Sequence, residues 1–181
     1  MNLRHALSGL ILSGSLAACT ASATGAAEAN AADGSIIRAG CRQGECSWLR
    51  VVRQESLHRA PQGELRRLVA RRGSSVHLDG SIPEEPPADI GWEAAEGTYH
   101  AFCSTERPAY AFPGEEGMTV HFLDLFDLPG YQMASAGMYL RLCHRIDALP
   151  EDEKVLRGLG YRPGTRSEQV EAAAVETMTR F

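Results

Sequence analysis

Apolar positions fall into distinct patterns along the chain, and each pattern predicts a different element. Residues 6–16 form a continuous apolar run of 11, interrupted only by Ser and Gly. Residues 20–35 (TASATGAAEANAADGS) are small and polar with no apolar period, which predicts a flexible tether rather than a packed segment. Strand-length runs follow. Residues 47–58 carry Trp48, Leu49, Val51 and Val52. Residues 98–103, 109–112 and 119–125 are aromatic and apolar, separated by Pro108 and by Pro113-Gly114. Residues 64–72 fit two elements. Leu65, Leu68 and Val69 have helical spacing before Gly73, yet the tight turn at Ala60-Pro61-Gln62-Gly63 favours a hairpin with residues 47–58. Residues 79–89, with Gly80, Pro83, Pro86 and Pro87, predict a surface loop.

The period then changes. Ser135, Tyr139, Leu142, Cys143 and Ile146 share one helical face, which predicts an amphipathic helix over 132–146. Pro150, followed by Glu151, Asp152 and Glu153, predicts a second helix ending at Gly158 or Gly160. Thr165 and Glu168 have capping-box spacing before a third helix to about Met178. Strands followed by helices indicate an α+β fold: a small antiparallel sheet packed by an amphipathic helix, with C-terminal helices. The expected organisation is a leader at 1–18, a tether at 19–37, a domain at 38–149 and a helical extension at 150–181.

The run at 6–16 is too short to cross a bilayer of roughly 30 Å, which takes about 20 helical residues, but it fits the apolar region of a secretory signal peptide. It ends in Leu16-Ala17-Ala18-Cys19. This resembles the bacterial lipobox, the site cut by lipoprotein signal peptidase. The resemblance implies cleavage before Cys19, lipid on the Cys19 thiol and a second acylation at the new amino terminus. Several chains together anchor stably, since each buried CH₂ contributes about 0.8 kcal/mol. Thr20 after the cysteine implies the outer rather than the inner membrane. Ala21-Ser22-Ala23 offers ordinary signal peptidase an alternative site, which would release a soluble periplasmic protein.

The 181 residues have an ordinary globular composition, 44% hydrophobic and 23% charged, which excludes collagenous, disordered and polytopic membrane classes. The net charge of -5 argues against a nucleic-acid partner. The charge is unevenly spread. Residues 38–72 hold nine Arg and three Glu, whereas residues 73–131 hold eleven acidic side chains and one Arg. The simplest expectation is that the two segments pair in the fold. The alternative is a two-faced surface whose basic side meets anionic lipid or glycan.

Five cysteines are an odd number. With Cys19 lipidated, four remain in an oxidising compartment, where disulfides persist. Three connectivities are open, and the expected one is Cys41–Cys46 with Cys103–Cys143. Gly44 lets the short loop fold back, and Cys143 lies on the apolar face of the 132–146 helix. In the chain-entropy model the short bridge contributes about 2 kcal/mol and the long one about 4 kcal/mol. Cys-x₄-Cys without a second close pair is poor zinc spacing, so no metal is expected.

Catalytic signals are thin. His100 and His121 fall on predicted strands, with Asp124 close behind, and could converge in a small periplasmic hydrolase or on a metal. A Cys103–His144 pair would need a reduced thiol. No phosphate loop, dinucleotide fingerprint or zinc-protease motif is present, so no cofactor is expected. Val155-Leu156-Arg157-Gly158-Leu159-Gly160-Tyr161-Arg162-Pro163-Gly164 resembles the middle of the small three-helix peptidoglycan-binding domain. Ala174-Val175 and Phe181 echo its following helix, though the loop between is shorter and lacks the family's D-G-x-x-G segment. The Cys41–Cys46 loop is similar in spacing to that of a periplasmic lysozyme-inhibitor family, without the inhibitory His. The leading expectation is a lipid-anchored envelope lipoprotein with a non-enzymatic binding or structural role, its partner a cell-wall glycan or an envelope protein.

Overall fold

A computed structural model describes residues 34–115, 117–147 and 149–180. Cys19 with its surrounding motif, most of the expected tether and Phe181 lie outside the described residues. Within them, seven strands follow one another in chain order across a single antiparallel sheet. They are β1 (Ile36–Arg42), β2 (Glu45–Ala60), β3 (Gly63–Val76), β4 (Gly91–Cys103), β5 (Ala109–Pro113), β6 (Met118–Phe122) and β7 (Glu168–Ala172). Helix α1 (Met133–His144) follows a 3-10 turn, and α2 (Glu153–Gly158) is a short helix. The protein is therefore mostly β.

Local chemistry explains the turns. The β1–β2 hairpin closes through Gln43 and Gly44, both at positive φ (54° and 80°), as a two-residue turn of right-handed twist demands. The hairpin sets Cys41 opposite Cys46, and the two are joined by a disulfide. A second disulfide joins Cys103 at the end of β4 to Cys143 in α1.

The 64–72 segment is strand, not helix. Its apolar residues serve both faces of the sheet. Leu68 and Ala70 enter the core beneath α1, while Leu65 packs on the opposite side. A strand buried on both faces loses strict alternation, which is why its spacing also looked helical.

The core beneath α1 joins Leu49, Val51, Leu68, Tyr99, Ala101 and Tyr110 of the sheet to Ala136, Tyr139 and Leu140 of the helix. A second cluster occupies the other face of the later strands, where Phe102, Ala111, Val120 and Phe122 meet Ala172 and Met178. A third holds Cys46, Trp48 and Ile90. Each fully buried side chain of this size contributes about 1.5–3 kcal/mol before chain entropy is subtracted.

The C-terminal third departs most from the sequence expectation. The helix expected from Thr165 to Met178 is absent. Glu168–Ala172 instead pairs with β6 through Val120↔Val170, and Val175–Thr179 is a 3-10 segment. Thr165 donates to the carbonyl of Leu123 rather than capping a helix. The open edge of β6 outcompetes a weak local preference, because its unpaired backbone groups gain partners in β7. The extension at 150–181 is thus not a separate helical appendage, since Leu156, Tyr161 and Met178 are core residues. At the other end the sheet begins at Ile36, inside the span read as tether. The three-helix peptidoglycan-binding pattern does not form, because its last helix is replaced by strand and 3-10 turn.

Gly73 faces Trp48 across β2–β3 and Trp92 across β3–β4. A Cβ there would lie 2.7 Å from both Ile90 and the Trp92 ring. Gly73→Ala is expected to lower stability by about 1–3 kcal/mol in urea unfolding. An unchanged midpoint would mean that the Trp92 ring moves aside freely.

Candidate functional site

The three residues proposed for hydrolysis do not meet. His100 is opposite Ala111, which is opposite Val120. His121 is opposite Tyr110, which is opposite Ala101. Successive strand residues point to opposite faces, so the two imidazoles lie on opposite sides of the sheet. His100 Nδ1 is buried without a hydrogen-bond partner among the described residues, whereas His121 is held at both ring nitrogens. His121 Nε2 lies 3.1 Å from Gln169 Oε1 and Nδ1 lies 2.8 Å from Ser135 Oγ. An amide oxygen only accepts, so Nε2–H donates to Gln169 and the Ser135 hydroxyl donates to Nδ1. Both ring nitrogens are therefore occupied by the fold. Asp124 is buried and ties two loops, accepting from the backbone N–H of Phe126 (3.0 Å) and of Gly164 (3.1 Å). Among the described residues no group of three or more His, Cys, Asp or Glu is placed to hold a metal.

A buried hydroxyl chain lies beside the Cys103–Cys143 bridge. The Tyr139 hydroxyl donates to the Ser104 carbonyl (3.0 Å) and accepts from the Ser104 N–H (3.2 Å). With its one proton committed, it accepts from Tyr161 at 2.7 Å, and Tyr161 accepts from His144 Nε2 at 2.5 Å. Burial raises both phenols, Tyr161 to about 12 and Tyr139 well above its ordinary value. The chain ends on a backbone carbonyl, which cannot take up a proton. It is a clamp joining α1, the turn after β4 and the segment after α2. Cys103 is in a disulfide, so a Cys103–His144 nucleophile pair is not formed.

The sequence reading did not single out Ser75 and His77. Their i, i+2 spacing at the end of β3 puts both on the face of Trp48. Trp48 Nε1–H donates to Ser75 Oγ at 2.8 Å, and Ser75 Oγ lies 2.9 Å from His77 Nε2. The pair resembles a nucleophile and its base, but Ser75 is 4% exposed and its oxygen is already an acceptor for the indole. The arrangement satisfies a buried Trp.

The basic segment pairs mostly within itself. Glu55 is held by Arg67 (2.7 Å) and Arg53 (2.9 Å), and Glu64 by Arg66 (2.7 Å) and Arg59 (3.1 Å). Arg71–Glu96 (3.8 Å) and Arg72–Glu93 (3.6 Å) join the basic segment to the acidic one. Arg50 instead stacks on Trp92, 4.2 Å from the ring centroid. A cleft of about 280 Å³ runs between Arg107, Phe122 and Thr165, and a wide, open dish of about 620 Å³ lies over α2. Neither contains a histidine.

No helix among the described residues is long and apolar enough to cross a membrane. No protein-family model, curated protein or solved structure matches the chain.

Removing the Ser75 hydroxyl leaves the buried Trp48 N–H without its acceptor. Ser75→Ala is expected to cost about 1–3 kcal/mol by chemical unfolding. Burial lowers the pKa of His100, His121 and His144 below the ordinary imidazole range. The unfolded chain thus binds more protons than the folded one as pH drops past about 6.5. Stability from these groups is present above that pH and lost as pH falls toward the folded-state values. The melting temperature is expected to decrease between about pH 7 and pH 5, and a flat profile would contradict the burial argument.

Proposed function

We propose that the chain is a lipid-anchored envelope lipoprotein whose folded domain binds rather than catalyses. One observation carries the reading. Four of the five cysteines are paired as Cys41–Cys46 and Cys103–Cys143. The remaining one, Cys19, stands at the end of an apolar run in the lipobox-like Leu16-Ala17-Ala18-Cys19. Two disulfides suit an exported domain. They leave the odd cysteine for acylation, and Thr20 after it favours the outer membrane over the inner.

The residues named for the hydrolase alternative are not brought together: His100 and His121 lie on opposite faces of the sheet, and His121 and Asp124 are held in separate hydrogen bonds. A cell-wall glycan or an envelope protein remains the expected partner class.

Cys19→Ser is expected to leave the precursor uncut and shift the protein from the membrane fraction to the soluble fraction. Metabolic labelling with palmitate should be lost in the same variant. Unchanged fractionation and labelling would refute the anchor.

A further inference from the structure

Arg50 and Arg71 stand directly opposite each other in the β2–β3 register, so their side chains share one face of the sheet. It is the face turned away from α1, because the alternating neighbours Leu49, Val51 and Ala70 belong to the core beneath that helix. Arg38, opposite Trp48, and Arg53 and Arg67, opposite Val69 and Glu55, point the same way. The carboxylates among them are Glu55, already shared by Arg53 and Arg67, and Glu96, which approaches Arg71 only to 3.8 Å. Arg50 contacts the Trp92 ring and, among the described residues, no carboxylate. Arg71 Nε has no hydrogen-bond partner. Like charges directly opposite each other destabilise a sheet, and the distant Glu96 carboxylate and the Trp92 ring offset this pair only in part.

The strip is open to solvent. The loop after β3 reaches Arg38 through the Pro83 carbonyl, and the Val175–Thr179 segment covers the later strands. Between them the side chains of Arg53, Arg67 and Arg71 remain 56%, 34% and 40% exposed.

We infer that this face docks on the phosphate headgroups of an anionic membrane surface. Guanidinium forks match phosphate oxygens bidentately, and a phosphate between Arg50 and Arg71 would supply the missing counter-charge. The position of the incoming chain favours a membrane over other polyanions. Gly34 N–H donates to the Val51 carbonyl at 2.8 Å, which places Gly34 at the edge of the sheet beside Arg50 and Arg53. This part of the argument rests on the lipid at Cys19, which would bring this edge of the sheet to the bilayer.

The test uses a chain beginning at Thr20, which contains every described contact and both disulfides but cannot be acylated. It is sedimented with vesicles of phosphatidylglycerol and phosphatidylethanolamine, or of phosphatidylcholine alone. Binding to the anionic vesicles is expected, weakening as salt rises. Arg50→Gln with Arg71→Gln should weaken it by about fivefold per charge removed. Arg50→Lys with Arg71→Lys should retain most of it, which separates charge loss from misfolding. Arg157→Gln, on α2, should leave it unchanged. Equal binding to both vesicle types, or an equal loss in Arg157→Gln, would overturn the inference. Displacement by millimolar inorganic phosphate would also overturn it, by assigning the site to free phosphate. Because this chain lacks Cys19, the outcome is independent of acylation. Vesicle binding together with palmitate labelling that is unchanged in Cys19→Ser would reject the anchor and keep the face.

Discussion

The fold depends on how α1 is fastened to the sheet. One strand end, one helix and one loop meet at the Cys103–Cys143 bridge and the Ser104–Tyr139–Tyr161 hydrogen bonds. The covalent bond limits how far the helix can leave in the unfolded chain. The buried hydroxyls demand that it sit in one register, because any other leaves them without partners in a low-dielectric interior. With the helix fixed, Leu49, Val51 and Leu68 are shielded from water, and the long β2–β3 hairpin has a face to rest on. The last strand and the 3-10 segment then cover the opposite face of β4–β6.

The same arrangement decides where chemistry can occur. Most polar side chains that looked reactive are occupied in holding elements together. His121 links β6 to α1 and β7, Asp124 links two loops, and Ser75 satisfies Trp48. A neutral, doubly hydrogen-bonded imidazole is a poor base and a poor ligand. What the fold leaves exposed and under-paired is electrostatic: the arginine strip of β2 and β3, beside the point where the chain enters the sheet.

Some of this was legible in the chain. The strands at 47–58, 98–103, 109–112 and 119–125 are bounded by Pro and Gly, so local chemistry marked their ends. The helix at 132–146 showed its apolar face through spacing alone. The region 165–178 was misread because Thr165 and Glu168 mimic a capping box, while the edge of β6 that recruits 168–172 lies more than 40 residues away in sequence. Pairing of His100 with His121 was suggested by neighbouring strands, but strand proximity does not give the face. That depends on register, and a one-residue difference reverses it. The Trp48–Ser75–His77 group was missed because its members are 27 residues apart and meet only through β2–β3 pairing.

By itself, then, the sequence determined the local matters: where turns fall, which runs are strand-like, the odd cysteine in its lipobox-like setting and the uneven spread of charge. These depend on neighbours a few residues away. The tertiary structure decided which face each side chain occupies, which arginines find carboxylates and whether the last segment is helix or strand. Those outcomes depend on pairing between distant strands, whose backbone hydrogen bonds and buried area outweigh the few tenths of a kcal/mol that separate one residue's local preferences.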